Sequence, residues 1–317
     1  MPGCRTTGFT IRWWRGSDGV PFECLAMNSE TTLADYERAC RRYLELQAVE
    51  DVHERIRQSR EYQIECEAIF ARLRADADSF DPAVWFALGD AYSRWWGTKE
   101  ERGQARPWFQ KAADAGHTRA MVRLGNLLNR PAPDGDPTEA VALFRRAAEL
   151  GYASGMIFLG FAYREGTGVA CDNEKAADWF IKAVEAGDSH SMIHAGRMYS
   201  RHLHCPEEAM RWFLRAAEAG QTESHLELAF LYEDRKSPLY DAEQAVRWYR
   251  RVAEANGGSR DRARLALAHF CRNGEGTAHD PAEARAWLIK VIESAPPKSA
   301  FLREAKSLLP KWEAEML

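Results

Sequence analysis

Five side chains able to bind a metal ion fall within one short stretch of this 317-residue sequence. They are His190, His194, His202, His204 and Cys205. His190 and His194 stand one helical turn apart, a spacing at which two imidazoles can bind one zinc ion. No carboxylate or cysteine partner stands at the spacing of a closed zinc site, which favours the alternative that His190 lies on the inner surface and the loop histidines are solvated. We therefore predict no metal, and an enzymatic or metal-dependent function would depend on this cluster alone.

The rest of the sequence carries no pattern of a known reaction. Phosphate loops and the HExxH, GxSxG and CxxC patterns are absent. The seven cysteines have irregular spacings, which indicates free thiols in a reducing compartment. With 43 basic and 47 acidic residues the net charge is -4, which argues against nucleic acid or a membrane surface as the partner. We also find no apolar membrane span and no signal peptide, so we expect a cytoplasmic protein.

A nine-residue phrase recurs along the chain, as in WFIKAVEAG at 179–187 and WFLRAAEAG at 212–220. The first residues of its six copies are Trp108, Leu143, Trp179, Trp212, Trp248 and Trp287. An alanine precedes each by three residues, a bulky residue follows directly, and a small or β-branched residue comes four later. These offsets share one face of a helix. We expect the five tryptophans to be buried anchors that hold a stack of helices together.

The ends of these helices and a preceding helix are marked as well. Glycine stands eight residues after the first four anchors, as expected for a left-handed helix end, and Asn256 takes that place in the fifth copy. Asp136-Pro137 and Asp280-Pro281 predict helix starts. The preceding helix repeats a small residue at Gly89, Gly125, Gly160, Gly196, Ala229 and Ala268. Because glycine inside a helix costs about 1 kcal/mol relative to alanine, its recurrence predicts close contact between helices.

The third copy, residues 155–187, resembles the Sel1-like repeat family, a branch of the tetratricopeptide-type helical repeats. The similarity includes the Gly166-x-Gly168-Val169 loop and Asp172, and it extends over about residues 82–295. The resemblance implies an all-α fold, a right-handed α-α superhelical solenoid of about six helix pairs with capping helices at both ends.

The chain is expected to contain four segments. Residues 1–26 lack periodicity, and Met27 resembles a normal protein start, so we expect a disordered tail or a misplaced start. Residues 27–81 are predicted to form N-terminal capping helices, at about 31–47 and 50–75, because apolar residues there share one face. Residues 82–296 hold the six repeats, and 297–317 are predicted to form a C-terminal capping helix.

Relatives of this fold bind extended peptides or other proteins in a concave groove lined by the first helix of each pair. Carrying over the inward-facing positions implies partner contacts from Arg119, Asn126, Asn129, Phe161, Arg164, His190, Arg197, Phe230, His269 and Arg272. Arginines bind carboxylates through two hydrogen bonds, asparagines can bond a peptide backbone, and the phenylalanines can take apolar anchors. The competing interpretation is a solvated groove whose arginines only balance local acids. Trp95 and Trp96 are a candidate second contact site.

These observations favour a non-enzymatic scaffold or adaptor that binds a protein or peptide partner, with no cofactor, nucleic acid or membrane. The alternative is a regulatory or immunity-type protein that binds and neutralises an enzyme or effector. The alanine- and arginine-rich composition favours a bacterial cytosolic protein, although exported bacterial relatives keep export open. The partner and the oligomeric state are left open by the sequence.

Overall fold

The computed structural model describes residues 29–47, 52–78, 80–94, 103–130, 135–255 and 258–314, and every regular element in these ranges is helical. The α-helices are α1 (Ser29–Gln47), α2 (Val52–Ala75), α3 (Pro82–Arg94), α4 (Ala105–Asp114), α5 (Thr118–Leu128), α6 (Pro137–Glu149), α7 (Ala153–Glu165), α8 (Asn173–Glu185), α9 (Ser191–Arg201), α10 (Pro206–Glu218), α11 (Glu223–Glu233), α12 (Ala242–Glu254), α13 (Arg260–Asn273), α14 (Pro281–Ser294) and α15 (Ala300–Ala314). The predictions for residues 1–26, Trp95, Trp96 and Asn256 lie outside the described residues.

The chain divides into two compact units, residues 1–87 and 88–317. In the first unit, α1 packs against α2 around buried Ala39, Ile69 and Leu73. An ion pair of 2.6 Å between Arg42 and Glu65 also joins the two helices. The two predicted helices are therefore confirmed, and their role as a cap on the repeats stays a prediction.

Consecutive helices of the second unit pack against one another from α4 to α15, which confirms an all-α solenoid of helix pairs. The first helices of the pairs are α3, α5, α7, α9, α11 and α13, and the second helices are the even-numbered ones from α4 to α14. Contacts also join α5 to α7, α9 to α11 and α13 to α15. The first helices α5 and α7, and likewise α9 and α11, therefore lie side by side, and α15 lies beside α13 in the same way.

The predicted close approach at the first-helix glycines is confirmed. A methyl group added to Gly125 would lie 2.4 Å from the Phe144 ring, and one added to Gly196 would lie 2.5 Å from the Phe213 ring. Gly89 and Gly160 face rings of the next helix in the same way. The aromatic ring therefore lies directly against the helix backbone, which only glycine allows at these distances.

The expectation that the tryptophans are the buried anchors is wrong for four of them. The fully buried residue is the one that follows each anchor position: Phe109, Phe144, Phe180, Phe213, Tyr249 and Leu288, all at most 1% exposed. Trp108, Trp179, Trp212 and Trp248 are only half-buried, and Trp287 alone is buried. The next residue along a helix points about 100° away, and in four repeats it is a phenylalanine whose ring lies over the glycine of the first helix.

Each anchor tryptophan is instead covered by a cation three residues later on the same helix. The Nζ of Lys182 lies 4.1 Å from the centre of the Trp179 ring, and the Cζ of Arg215 lies 4.5 Å from that of Trp212. Cation–π contact and the aliphatic stem both cover the half-exposed ring. The half-buried tryptophans of α4, α8, α10 and α12 therefore lie at the edge of the core, and the row of residues that follows the anchors forms its centre.

The predicted helix ends are confirmed wherever they are described. Gly116, Gly151, Gly187 and Gly220 all have φ between 79° and 96°. The side chains of Asp136, Asp172, Asp241 and Asp280 accept hydrogen bonds from the first backbone N–H groups of their helices. In the fourth repeat the equivalent residue is Cys205, whose side chain makes no such bond. The fourth repeat thus lacks a stabilising cap that its neighbours have.

The last helix, α15, packs against α14 and α13 and buries Leu302, Ala305 and Trp312. Its opposite side carries charged residues such as Arg303 and Lys306, which are exposed. The predicted C-terminal helix is thus confirmed, with an apolar side towards the last repeat and a polar outer side.

Candidate interaction surface

Each first helix has a small residue in its middle, such as Gly125 or Gly160, that serves as a reference position. Three positions lie on one side of the helix: six residues before this reference, one after it and four after it. They share a side because their spacings are close to whole helical turns. We call this side of the second unit the first-helix face. It comprises Arg119, Asn126 and Asn129 on α5 and its end, Ser154, Phe161 and Arg164 on α7, His190, Arg197 and Ser200 on α9 and its start, Glu223, Phe230 and Glu233 on α11, and Arg262, His269 and Arg272 on α13.

An aromatic stack occupies the centre of this face. The Phe161 ring contacts the His194 and Phe180 rings edge-on, with centroids 5.0 and 5.1 Å apart. His194 in turn stacks on Phe180 at 5.2 Å. Burial lowers the pKa of His194, and the nearby Arg197 and Arg164 lower it further. His194 is therefore a packing residue that joins α9 to the third repeat.

Arg164 lies over the outer side of this stack. Its Cζ is 4.8 Å from the centre of the Phe161 ring, and its Nη2 donates to Glu165 at 2.5 Å. About a third of the Arg164 side chain stays exposed. The stacked geometry fixes the plane of the guanidinium while leaving part of its edge open to a partner.

Arg197 is held more firmly by the protein itself. Its Nε donates at 2.6 Å to Glu227, whose side chain is 6% exposed. Arg201 binds both oxygens of the same carboxylate at 3.0 Å. Glu227 is buried and paired, so Arg197 contributes to joining α9 and α11 as well as to the face.

A regular contact between neighbouring first helices explains these pairs. At three junctions between repeats, the residue one after the small position contacts the residue two before the small position of the next repeat. Asp90 accepts from Arg123 at 2.7 Å, and Phe161–His194 and Arg197–Glu227 follow the same rule. Sequence reasoning missed Arg123 and Glu227, and it considered His194 only as a metal ligand. Complementary side chains at a separation of about one repeat were the available signal.

The C-terminal part of the predicted site packs against the last helix. Arg272 lies over the Trp312 ring at 4.8 Å. The His269 ring meets Trp312 edge-on at 5.5 Å, and its Nε2 is 3.8 Å from Glu304. Phe230 is covered on one side by Arg262, whose Cζ is 4.3 Å from the ring centre. These residues are therefore partly engaged within the protein.

The open part of the predicted site is the segment on α5, α7 and α9. Arg119, Asn129 and His190 are exposed there, and Asn126, Phe161, Arg164 and Arg197 are half-buried. None of the nine face positions on these three helices is acidic. The next repeat is different, because Glu223 and Glu233 are exposed on α11. The face thus has a cationic centre followed by an acidic border.

The described residues contain no group of three or more His, Cys, Asp or Glu side chains placed to hold a metal ion. The two candidate metal ligands, His190 and His194, lie in different environments. His190 is exposed just before α9, and the His194 ring contacts Phe161 and Phe180. Within the described ranges, no helix is both long and apolar enough to cross a lipid bilayer.

The sequence model of the Sel1 repeat matches residues 86–117, 118–152, 153–188, 206–221, 222–257 and 261–294, which is more than half of the chain. The histidine-rich segment 189–205 lies between two matched ranges. No curated protein is significantly similar to the chain.

Solved structures of bacterial proteins resemble the chain. A protective antigen present in uropathogenic Escherichia coli strains, displaying an SLR fold, is 27% identical with a TM-score of 0.61 over 78% of this chain and 52% of the antigen. The chain thus spans about half the length of that antigen. A Sel1 repeat protein from Oxalobacter formigenes is 26% identical with a TM-score of 0.56, over 73% of this chain and 93% of the other. An immunity protein from Pseudomonas aeruginosa is 20% identical with a TM-score of 0.37, over 74% and 83%, a similarity too low to support a functional argument.

Proposed function

Because the chain belongs to the Sel1 repeat family, whose members are generally protein-interaction scaffolds, we propose that it is a non-enzymatic scaffold or adaptor. It binds a peptide or protein partner on the first-helix face of α5, α7 and α9. The observation that supports this site is the absence of any acidic residue among the nine face positions of these helices, three of which are arginines.

The chemistry of these positions defines the partner. Arg119 and Arg164 bind carboxylates, and an arginine stacked on an aromatic ring loses little freedom when it does so. Asn126 and Asn129 bond the backbone of an extended segment. Ile157 and Phe161 are half-buried and supply apolar contact between the polar groups. The partner is therefore an acidic segment with interspersed apolar side chains.

The test compares partner capture by charge-reversal variants. The variant Arg119→Glu/Arg164→Glu changes two arginines that keep exposed surface and leaves Arg197 in place, because Arg197 holds Glu227. The matched control is Arg211→Glu/Arg247→Glu, which reverses two arginines that are 70% and 62% exposed on second helices. Circular dichroism establishes that all forms remain equally helical.

We expect the parent and the control to retain the same protein from native lysate and the Arg119→Glu/Arg164→Glu variant to lose it. Mass spectrometry identifies the captured protein, and titration of that purified protein gives the affinity. Equal affinity for all three forms would refute the first-helix face as the binding site.

A further inference from the structure

A cavity of about 410 Å³ lies where the fourth and fifth repeats meet. It is bounded by the C-terminal ends of α9 and α11 and by the loops that follow them. Phe230 and Leu231 form part of its apolar wall, and Arg201, Lys236 and Ser237 supply polar groups. Its volume falls in the range of about 300–1,000 Å³ that is typical of binding pockets.

The cavity contains a buried carboxylate. Glu227 lines it with a side chain that is 6% exposed, and both carboxylate oxygens bind Nη2 of Arg201 at 3.0 Å. A guanidinium has five N–H donors. Glu227 engages Nη2 alone, so the group is held in a fixed position while Nε and Nη1 keep their donors for another contact.

The mouth of the cavity combines positive charge with apolar surface. The Arg201 side chain is 56% exposed, and Lys236 is exposed on the opposite loop. The acidic Asp234 at the same mouth is turned towards its own loop, where it accepts from the backbone N–H of Lys236 at 3.0 Å. A carboxylate beside a bulky apolar side chain complements this arrangement.

The cavity depends on a feature that distinguishes this repeat. Only four residues, 202–205, connect α9 to α10, whereas seven residues, 166–172, connect α7 to α8. In the longer loop Gly168 lies against the start of α6, where an added methyl group would be 2.1 Å from the oxygen of Pro137. The short loop has no glycine, and His204, which lines the cavity, has a φ of 52°. Ser200, Arg201 and His204, which form one side of the cavity, lie in the segment 189–205 that does not match the Sel1 repeat.

We infer that this cavity is the specificity pocket of the interaction, and that it takes one acidic side chain together with an adjacent bulky apolar side chain of the partner segment. The inference rests on the proposed function. Ser200 and Phe230 belong to both the first-helix face and the cavity wall, so a segment lying along α7 and α9 reaches the pocket without leaving the face.

The test uses short peptides and the full-length chain. The probes are hexapeptides, acetylated and amidated at their ends, that contain Asp-Leu or Leu-Asp between two pairs of glycines. Each is added to isotope-labelled protein up to about 5 mM, and binding is followed by two-dimensional NMR. We expect chemical-shift changes around Arg201 and Lys236 with at least one probe. Replacing aspartate by asparagine removes a charge-assisted hydrogen bond and should weaken binding at least about tenfold. Replacing leucine by alanine should weaken it by about the same factor.

Protein variants locate the binding. Lys236→Glu should lower the affinity for the bound peptide at least about tenfold, because Lys236 supplies positive charge at the mouth of the cavity without touching Glu227. Arg201→Gln should do the same, and Lys236→Glu keeps the test valid if Arg201→Gln disturbs the Glu227 contact. Arg211→Gln, a control at an exposed arginine of α10, should leave the affinity unchanged.

No binding by either probe at 5 mM overturns the inference, and so does a probe that tolerates both peptide replacements or binds Lys236→Glu normally. Sodium acetate that shifts the same signals as strongly as the peptides would also overturn it, since that result indicates a general anion site. The failure of this inference can be distinguished from the failure of the proposed function. A captured partner that depends on Arg119 and Arg164 but not on Lys236 would retain the first-helix face and exclude the pocket.

Discussion

Replacing Gly125 by alanine should destabilise the protein, although the same change normally stabilises a helix by about 1 kcal/mol. The new methyl carbon would lie 2.4 Å from Cε1 of Phe144 and 2.9 Å from its Cδ1 and Cζ. Ordinary carbon contacts are about 3.5–4.0 Å, so either the ring or helix α5 must move by about 1 Å. The site therefore tests whether the glycine row sets the distance between helices.

The ring has little room to move. Phe144 is 1% exposed and stacks on Phe158 with centroids 5.1 Å apart. Overpacking of a buried site costs about 1–3 kcal/mol. A cost near the upper end, less the gain of about 1 kcal/mol in helix propensity, leaves a net loss of about 1–2 kcal/mol for Gly125→Ala.

The sixth repeat shows how the clash can be relieved. Its equivalent residues are Ala268 and Leu288, which are both fully buried in the same core cluster. Adding Phe144→Leu to Gly125→Ala should therefore recover stability relative to Gly125→Ala alone. Phe144→Leu in the parent should instead be destabilising, because it removes ring atoms that fill the space over glycine.

The four proteins of this cycle are compared by urea unfolding followed by circular dichroism, with the free energy of unfolding taken from the midpoints. We expect a favourable coupling of about 1–3 kcal/mol between the two substitutions. Gly125→Ala that is as stable as the parent, or two substitutions whose effects simply add, would refute the argument that the ring sets the helix spacing.

Three further results are expected from other contacts. Cys205→Asp should raise the free energy of unfolding measured in urea by about 1 kcal/mol, because it gives α10 the side-chain cap that the neighbouring second helices α8 and α12 have; Cys205→Ala should have little effect. Since the pKa of His194 is lowered in the folded protein, the unfolded chain binds more protons below about pH 6.5, and stability should fall as the pH decreases through that value. Urea unfolding between pH 7 and ~5 should show a smaller loss for His194→Gln. Glu227→Gln should cost about 1–3 kcal/mol in the same assay, and Glu208→Gln, at a more exposed pair, should cost under about 1.

The helices were predictable from the sequence because their signals are local. Asp136 before proline and Gly151 after the last turn mark the ends of α6 by rules that involve only neighbouring residues. The glycine row was predictable for a related reason. A residue that is unfavourable in a helix and yet recurs once per repeat must satisfy a packing requirement. Gly196 against Phe213 shows that requirement directly.

The sequence alone could not predict that Trp179 is half-buried while Phe180 is fully buried. Both Trp179 and Phe180 are large and apolar, and composition alone favours burial of the larger ring. Which of the two rings is buried depends on the space between the first and second helices. In this repeat the Phe180 ring lies against the backbone of α7 at Gly160. Lys182 then covers the remaining tryptophan ring. Pattern identified the face of the helix, and three-dimensional packing decided which aromatic residue reaches its centre.

The first-helix face serves two requirements at once, and this limits where partner specificity can lie. Phe161 and Arg197, one residue after the small position, are engaged with the next repeat and help to fix how neighbouring repeats align. Arg164, four residues after that position, and Arg119 and His190, six before it, keep exposed surface. Substitutions at the first class of positions should therefore change stability together with binding. Substitutions at Arg164 and His190, in the second class, should change partner choice more than stability, because these residues lie outside the Phe161–His194 and Arg197–Glu227 contacts.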